Sequence, residues 1–402
     1  MGALPPERPH PLARAPLVDK ACALLERAWA SGVLPPPAID PDDLWQRAVK
    51  GFDPTDEAGG RDPEDVADFR ARLDALCEAV AQEARLNALG RTMAHGQIVR
   101  VIRHRFGLGR LWQKQPGLCT ALLAAPIIVV GQMRSGTTRI HRLLAADPAH
   151  SATRFCDSWY PVPQRPDLRP LWGALMLAMA RKLDPWIDAL HPMGAMRAEE
   201  ELGWLASALG HSTYDTQWHV PAFARFCEAR DAVPLYREFA RILRSDATHH
   251  GNAARARVLK VPQFAEELPA MLAQFPDARL VIASRHDDDV LRSAVSVVAN
   301  QMAIQSDAVD LAWIEAEWRR KLDLRQARVE AALARFTGPV AQVHFDELGE
   351  DWEAEIARIY RELGIALSPA ARAAMRAEMQ GSSRSDAHGA HAAQLDRFKP
   401  AA

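Results

Sequence analysis

The chain is short of cysteine, of lysine relative to arginine, and of any long apolar run. Each shortage closes a class of function. Five Cys stand at positions 22, 77, 119, 156 and 227, an odd number at wide spacing with no Cys-x-x-Cys pair. That pattern argues against a disulfide framework and against a cysteine zinc site, and it fits a reducing, cytoplasmic setting. The longest apolar stretch, Leu171 to Ala180, contains Gly173 and runs into Arg181 and Lys182. It is too short to span a bilayer. The opening MGALPPERPHPL has no apolar core of the kind a secretory signal needs. Neither sign of charge dominates: 49 basic against 51 acidic residues leave a net charge of −2. Such a balance builds no strong field for nucleic acid or an anionic membrane. The expected partner is a small molecule, with no nucleic acid and no membrane; the oligomeric state is left open.

What is present is ordinary globular composition, 48% apolar and 25% charged. Residues 1–120 read as helical. Val18 to Trp29 carries apolar residues at helical spacing, and Val66 to Leu86 repeats the pattern through Phe69, Leu73, Leu76 and Val80. The pattern changes at Pro126. Ile127–Val130 is a wholly apolar, β-branched run of the kind found in buried parallel strands. Three further strand-then-helix units follow. Val258–Val261 precedes a helix over 263–275, Leu280–Ala283 one over 289–301, and Val340–Phe345 one over 351–363. This alternation predicts an α/β fold, a parallel sheet flanked by helices, with a helical N-terminal extension. The expected boundaries are 1–120 for the extension and 121–402 for the α/β domain. A helical insertion over about 155–245, rich in Trp and Met, would wall an acceptor pocket. Trp159, Tyr160, Trp172, Trp186, Trp204 and Trp218 are its candidate lining, although aromatics at such spacing are more often plain core.

The sharpest motif is Gly131-Gln-Met-Arg-Ser-Gly-Thr-Thr138, between a strand and a helix. Gly131 and Gly136 let the backbone wrap closely, and successive N–H groups with a helix N-terminus attract an anion. Ser135, Thr137 and Thr138 add hydroxyl donors, and Arg134 adds a cation from within the loop. The spacing is that of a P-loop, except that Thr137 stands where a nucleotide-hydrolysing enzyme has Lys. The fold is therefore expected to be P-loop-like, with different phosphate chemistry. A second feature is Lys260 in Arg-Val-Leu-Lys-Val-Pro. A lysine in an apolar strand is costly unless an anion meets it or its head reaches solvent.

The stretch PIIVVGQMRSGTTRIHRLLAADP resembles the 5'-phosphosulfate loop of the PAPS-dependent sulfotransferases, in particular the bacterial branch similar to the tyrosylprotein sulfotransferases. FPDARLVIASRHDDDVLRSAVSV resembles the segment with which that family holds the 3'-phosphate. The resemblance implies a cofactor, 3'-phosphoadenosine-5'-phosphosulfate (PAPS), leaving as PAP. It implies Gly131, Arg134, Ser135, Gly136, Thr137 and Thr138 around the 5'-phosphosulfate, with Arg285 and Ser293 on the 3'-phosphate. In that family a Lys at the place of Lys260 stabilises the transferring sulfonate, and Asp157 takes the place of a Glu base. Burial is expected to raise the pKa of Asp157 toward a useful range. His141, His150 and His191 are alternative bases. Arg134, Lys260 and Asp157 are thus the expected catalytic set, with no metal required.

The chain also departs from the family pattern. His286 and Asp287 stand where Asn or Asp followed by Pro is usual, and Phe345 replaces a Tyr. The run Asp287–Asp289 reads as charge at a helix N-terminus rather than a metal site. Glu199 and Glu200 read likewise as carboxylates opening a helix. Ser383, Arg384 and the tail HGAHAAQLDRF resemble the family's C-terminal stretch only loosely. Two rival functions stay open: a P-loop kinase for a small molecule, and a PAP- or PAPS-binding protein without catalysis.

Overall fold

A computed structural model describes residues 8–383. Its centre is a five-stranded, all-parallel sheet in the order β2-β3-β1-β4-β5. The strands are β1 (Ile127–Gly131), β2 (His150–Ala152), β3 (Ala256–Lys260), β4 (Arg279–Ser284) and β5 (Val340–His344). β1 lies between β3 and β4, with Val129 opposite Lys260 and Gly131 opposite Ala283. β2 is a three-residue edge strand with no apolar run to announce it.

Alternation along the strands builds a core on each face. Ile128, Val130, Leu259 and Leu280 pack with Trp204, Phe239 and Phe264 on one side. Ile127, Val129, Val258, Val281 and Val343 pack with Ile140, Leu144 and Tyr360 on the other. Both sides being covered explains why β1 and the middle of β4 read as unbroken apolar runs, whereas the edge strand β5 carries the exposed Gln342. Burying each such side chain contributes about 1.5–3 kcal/mol.

The expected strand-then-helix units are all present. The loop helix spans Thr137–Ala146, and the helices after β3 and β4 span Phe264–Gln274 and Asp287–Gln305. β5 runs into a short helix, Phe345–Glu350, before the helix Trp352–Glu362. The N-terminal part contains helices Pro16–Ala30, Pro63–Gln82 and the 27-residue Ala88–Lys114. It shares a core with the insertion: Phe69, Leu73, Ile98 and Phe106 meet Tyr214, Trp218 and Phe223. The helix Leu311–Leu333, which carries only a weak pattern in sequence, packs on the two helices after β3 and β4. All five cysteines are buried and free. Among the described residues, no helix is long and apolar enough to cross a membrane.

Candidate active site

The C-terminal ends of β1, β3 and β4 converge on the loop 131–138. Gly131 is needed because a Cβ there would lie 2.6 Å from the backbone oxygen of Ala283. Gly136 has φ 88°, and its Cβ would lie 2.5 Å from the Phe345 ring. Arg134 also takes a positive φ of 72°, a conformation unusual outside glycine that aims its long side chain across the site. Ser135 is buried and its hydroxyl donates to the Gln132 carbonyl at 2.7 Å, so it braces the loop from within.

One half of the site gathers around β4. Arg134 Nε donates to Ser293 Oγ at 2.8 Å, and its terminal nitrogen donates to the Leu190 carbonyl at 2.9 Å. Burial, and then the charge of Arg285, pull the Arg134 pKa below its ordinary value. Arg285 reaches back to the Arg134 carbonyl at 3.3 Å, and its guanidinium sits 4.4 Å from the centre of the Phe345 ring. The structure thus brings Arg134, Arg285, Ser293 and Phe345 together from three separate stretches of chain. The three aspartates at 287–289 fill the first turn of the following helix, and Asp289 pairs with Arg292 at 2.6 Å.

The other half gathers around β3. Lys260 is 2% exposed. Its ammonium donates to Thr138 Oγ1 at 3.0 Å and contacts the Glu200 carboxylate. Its backbone N–H donates to Glu201 Oε2 at 2.9 Å, and burial raises the Glu201 pKa to about 7. Beside this cluster, Glu199 accepts from His191 at 2.7 Å and lies 3.7 Å from Arg142. Glu199 and Glu200 therefore do not merely open a helix, which begins only at Leu202. Their partners lie some eight to sixty residues away, and no local pattern announces them.

Asp157 is placed differently from the expectation. Its carboxylate accepts from Arg154 at 2.5 and 2.7 Å, and Arg169 and His250 lie at 3.2 and 3.3 Å. Burial by itself would raise its pKa, but the hydrogen bonds from Arg154 and His250 and the charge of Arg169 hold the carboxyl well below the usual range. None of these partners belongs to the loop or to the Lys260 cluster. Of the alternative bases, His141 is buried and pushed down to about 3 by desolvation. His150 bonds the Leu144 carbonyl and stacks on Tyr360. Trp186, Trp204 and Trp218 are buried in the cores, whereas Trp172 is 42% exposed. Arg384 and the stretch 388–398 lie outside the described residues.

A parallel sheet whose central strand runs into a glycine-bearing loop and a helix N-terminus, flanked by an arginine pair and by a lysine–glutamate pair, is an arrangement suited to an anionic ligand. A family model described as "Sulfotransferase family" matches residues 126–369, and the chain belongs to that family. The fold is similar to that of the sulfotransferase STF1 of Mycobacterium tuberculosis, with 26% identity, a TM-score of 0.76, and 90% of this chain and 99% of that one covered. It is also similar to the sulfotransferase STF9 of Mycobacterium avium, with 21% identity, a TM-score of 0.75, and 89% and 94% covered. No curated protein matches the sequence.

Proposed function

We propose that the protein transfers a sulfonate group from PAPS to a hydroxyl of a small, apolar organic acceptor and releases PAP. The observation that carries this reading is the split site. Arg285 and Ser293 provide a planar guanidinium and a hydroxyl for a 3'-phosphate. Lys260 and Thr138 lie at the other side of the loop, where a 5'-phosphosulfate would end. In an in-line displacement, the acceptor oxygen forms a bond to sulfur as the bond from sulfur to the 5'-phosphate oxygen breaks. Lys260, Arg134 and the loop N–H groups offset the charge developing on the sulfonate and the leaving oxygen.

The acceptor proton needs a base beside the sulfonate. We assign it to Glu200, whose carboxylate is half-buried against Lys260, in place of Asp157, whose oxygens are engaged by three cations. Glu201 holds the backbone at Lys260 and so fixes where its ammonium points.

The test is a comparison of nucleotides. PAP should raise the melting temperature clearly, and ATP and GTP should not, because only PAP offers a 3'-phosphate. Arg285→Ala should erase the difference. Equal responses to PAP and ATP in the wild type would refute the 3'-phosphate site. Labelled PAPS with a panel of alcohols and phenols then reads out transfer itself, and absence of turnover on every acceptor would favour a binding protein.

A further inference from the structure

The residues next to Arg285 and Phe345 along the chain are both histidines. His286 follows Arg285 just beyond the end of β4, and His344 precedes Phe345 at the end of β5. The two strands are parallel neighbours, and their register pairs Ser284 with His344. The imidazole rings meet edge to face, with centroids 5.3 Å apart. Asp346 places Oδ2 3.6 Å from His286 Nε2 and 3.6 Å from His344 Nδ1. One donor atom from each of the three lies within 4.8 Å of the others.

The two carboxylate–imidazole separations are close to what a metal needs. A tetrahedral zinc ion with bonds of about 2.0–2.1 Å keeps neighbouring donors about 3.3–3.4 Å apart. His286 and Asp346 are 73% and 57% exposed, so both side chains have room to close the shell. Two imidazoles and one carboxylate suit a divalent transition ion and are a poor match for the all-oxygen shells of Mg²⁺ or Ca²⁺. The nearby Asp287 and Asp288 are exposed and add negative charge. One bond has to yield: the Asp346 N–H donates to His344 Nδ1 at 3.4 Å, a long contact. The Glu347 carboxylate on the His344 N–H is unaffected.

We propose that His286, His344 and Asp346 form a binding site for a divalent transition-metal ion of the zinc class, with water completing the shell, and that the ion clamps the ends of β4 and β5 together. The unusual His286 thereby gains a role that the sulfonate chemistry does not give it. The clamp would stiffen the wall on which Arg285 and Phe345 stand and add positive charge beside it. That consequence, unlike the metal site, rests on the cofactor reading above.

The experiment uses the full chain, stripped with a chelator and free of nucleotide. Co²⁺ is titrated while its visible absorption is followed, and Zn²⁺ binding is measured by calorimetry. One saturable equivalent is expected. His286→Ala and Asp346→Asn should each weaken it by more than the roughly 10–100-fold typical of outer-shell changes. His286 is exposed and caps no helix with its side chain, so its variant keeps the test sound if Asp346→Asn unsettles the helix that follows β5. Mg²⁺ and Ca²⁺ should not compete. Absence of stoichiometric binding, or wild-type binding by His286→Ala, overturns the site. PAP affinity is then measured with and without Zn²⁺. A several-fold tightening is expected, and an unchanged affinity with metal bound overturns the clamp. The metal titration is decided without PAP, so its failure and failure of the cofactor reading are separate results.

Discussion

Exchanging the two candidate bases separates chemistry from architecture. Asp157→Asn keeps shape but removes a charge that meets Arg154, Arg169 and His250. Arg169 has no exposed side-chain surface and retains only Asp167 at 2.8 Å and a distant Asp246. Removing one partner from a buried ion pair costs about 3–5 kcal/mol, and the surviving Asp167 contact argues for the low end. At about 2.1 cal/mol/K of unfolding entropy per residue, a chain of this length loses roughly 1 °C per kcal/mol, so the melting temperature should fall by about 3–4 °C. The folded fraction should turn over almost normally. Glu200→Gln should differ in the rate. It leaves the buried Lys260 ammonium with Thr138 as its hydrogen-bond partner, so the melting temperature should fall as well, while kcat falls by about 10²–10⁴ with PAP affinity kept. Thermal melts, PAP titration and steady-state rates on both variants suffice. A dead but thermally normal Asp157→Asn beside an active Glu200→Gln would refute the assignment.

Three further outcomes are expected. Lys260→Ala should retain most PAP affinity and lose about 10²–10³ in kcat, since the product lacks the sulfonate; equal loss of both would make it an ordinary nucleotide contact. Gly136→Ala forces a side chain into a positive φ and against Phe345, so it should weaken PAP binding and lower the melting temperature together, and a neutral effect on both would contradict the loop geometry. Hydrogen bonds to Asp157 and Asp246 raise the His250 pKa to about 9. A raised pKa gives stability that is fully present below the free imidazole value of about 6.5. It is lost as pH rises through about 9. Melting temperatures across that range should show the decline in wild type and a flatter profile in His250→Gln.

The parts of this protein that are legible in sequence are those whose cause is local. The loop at 131–138 announces itself because glycines, hydroxyls and a preceding β-branched strand are contiguous, and the four longer strands because each carries a short apolar run before a helical pattern, unbroken in β1 and interrupted by the exposed Gln342 in β5. Lys260 stands out because a charge in such a strand needs a partner. The partner itself, Glu200, is sixty residues away and looks like any acidic pair before a helix. The lowered pKa of Asp157 is legible only in part: Arg154 is three residues away, but Arg169 and His250, which also engage it, lie in segments whose proximity only the fold creates. β2 has three residues and no pattern to read.

The order of the strands also sets a direction. With β1 in the middle, β3 carries Lys260 on one side and β4 leads to Arg285 on the other. A donor bound across this crevice in the proposed way lies crosswise over the strand tips, its nucleoside end toward β5 and its reactive end toward β2. The acceptor then has one flank from which to approach. An inhibitor that fuses donor and acceptor should be built as a straight rod running from the β5 side to the β2 side, and a hairpin-shaped linker of the same atoms should bind no better than PAP alone.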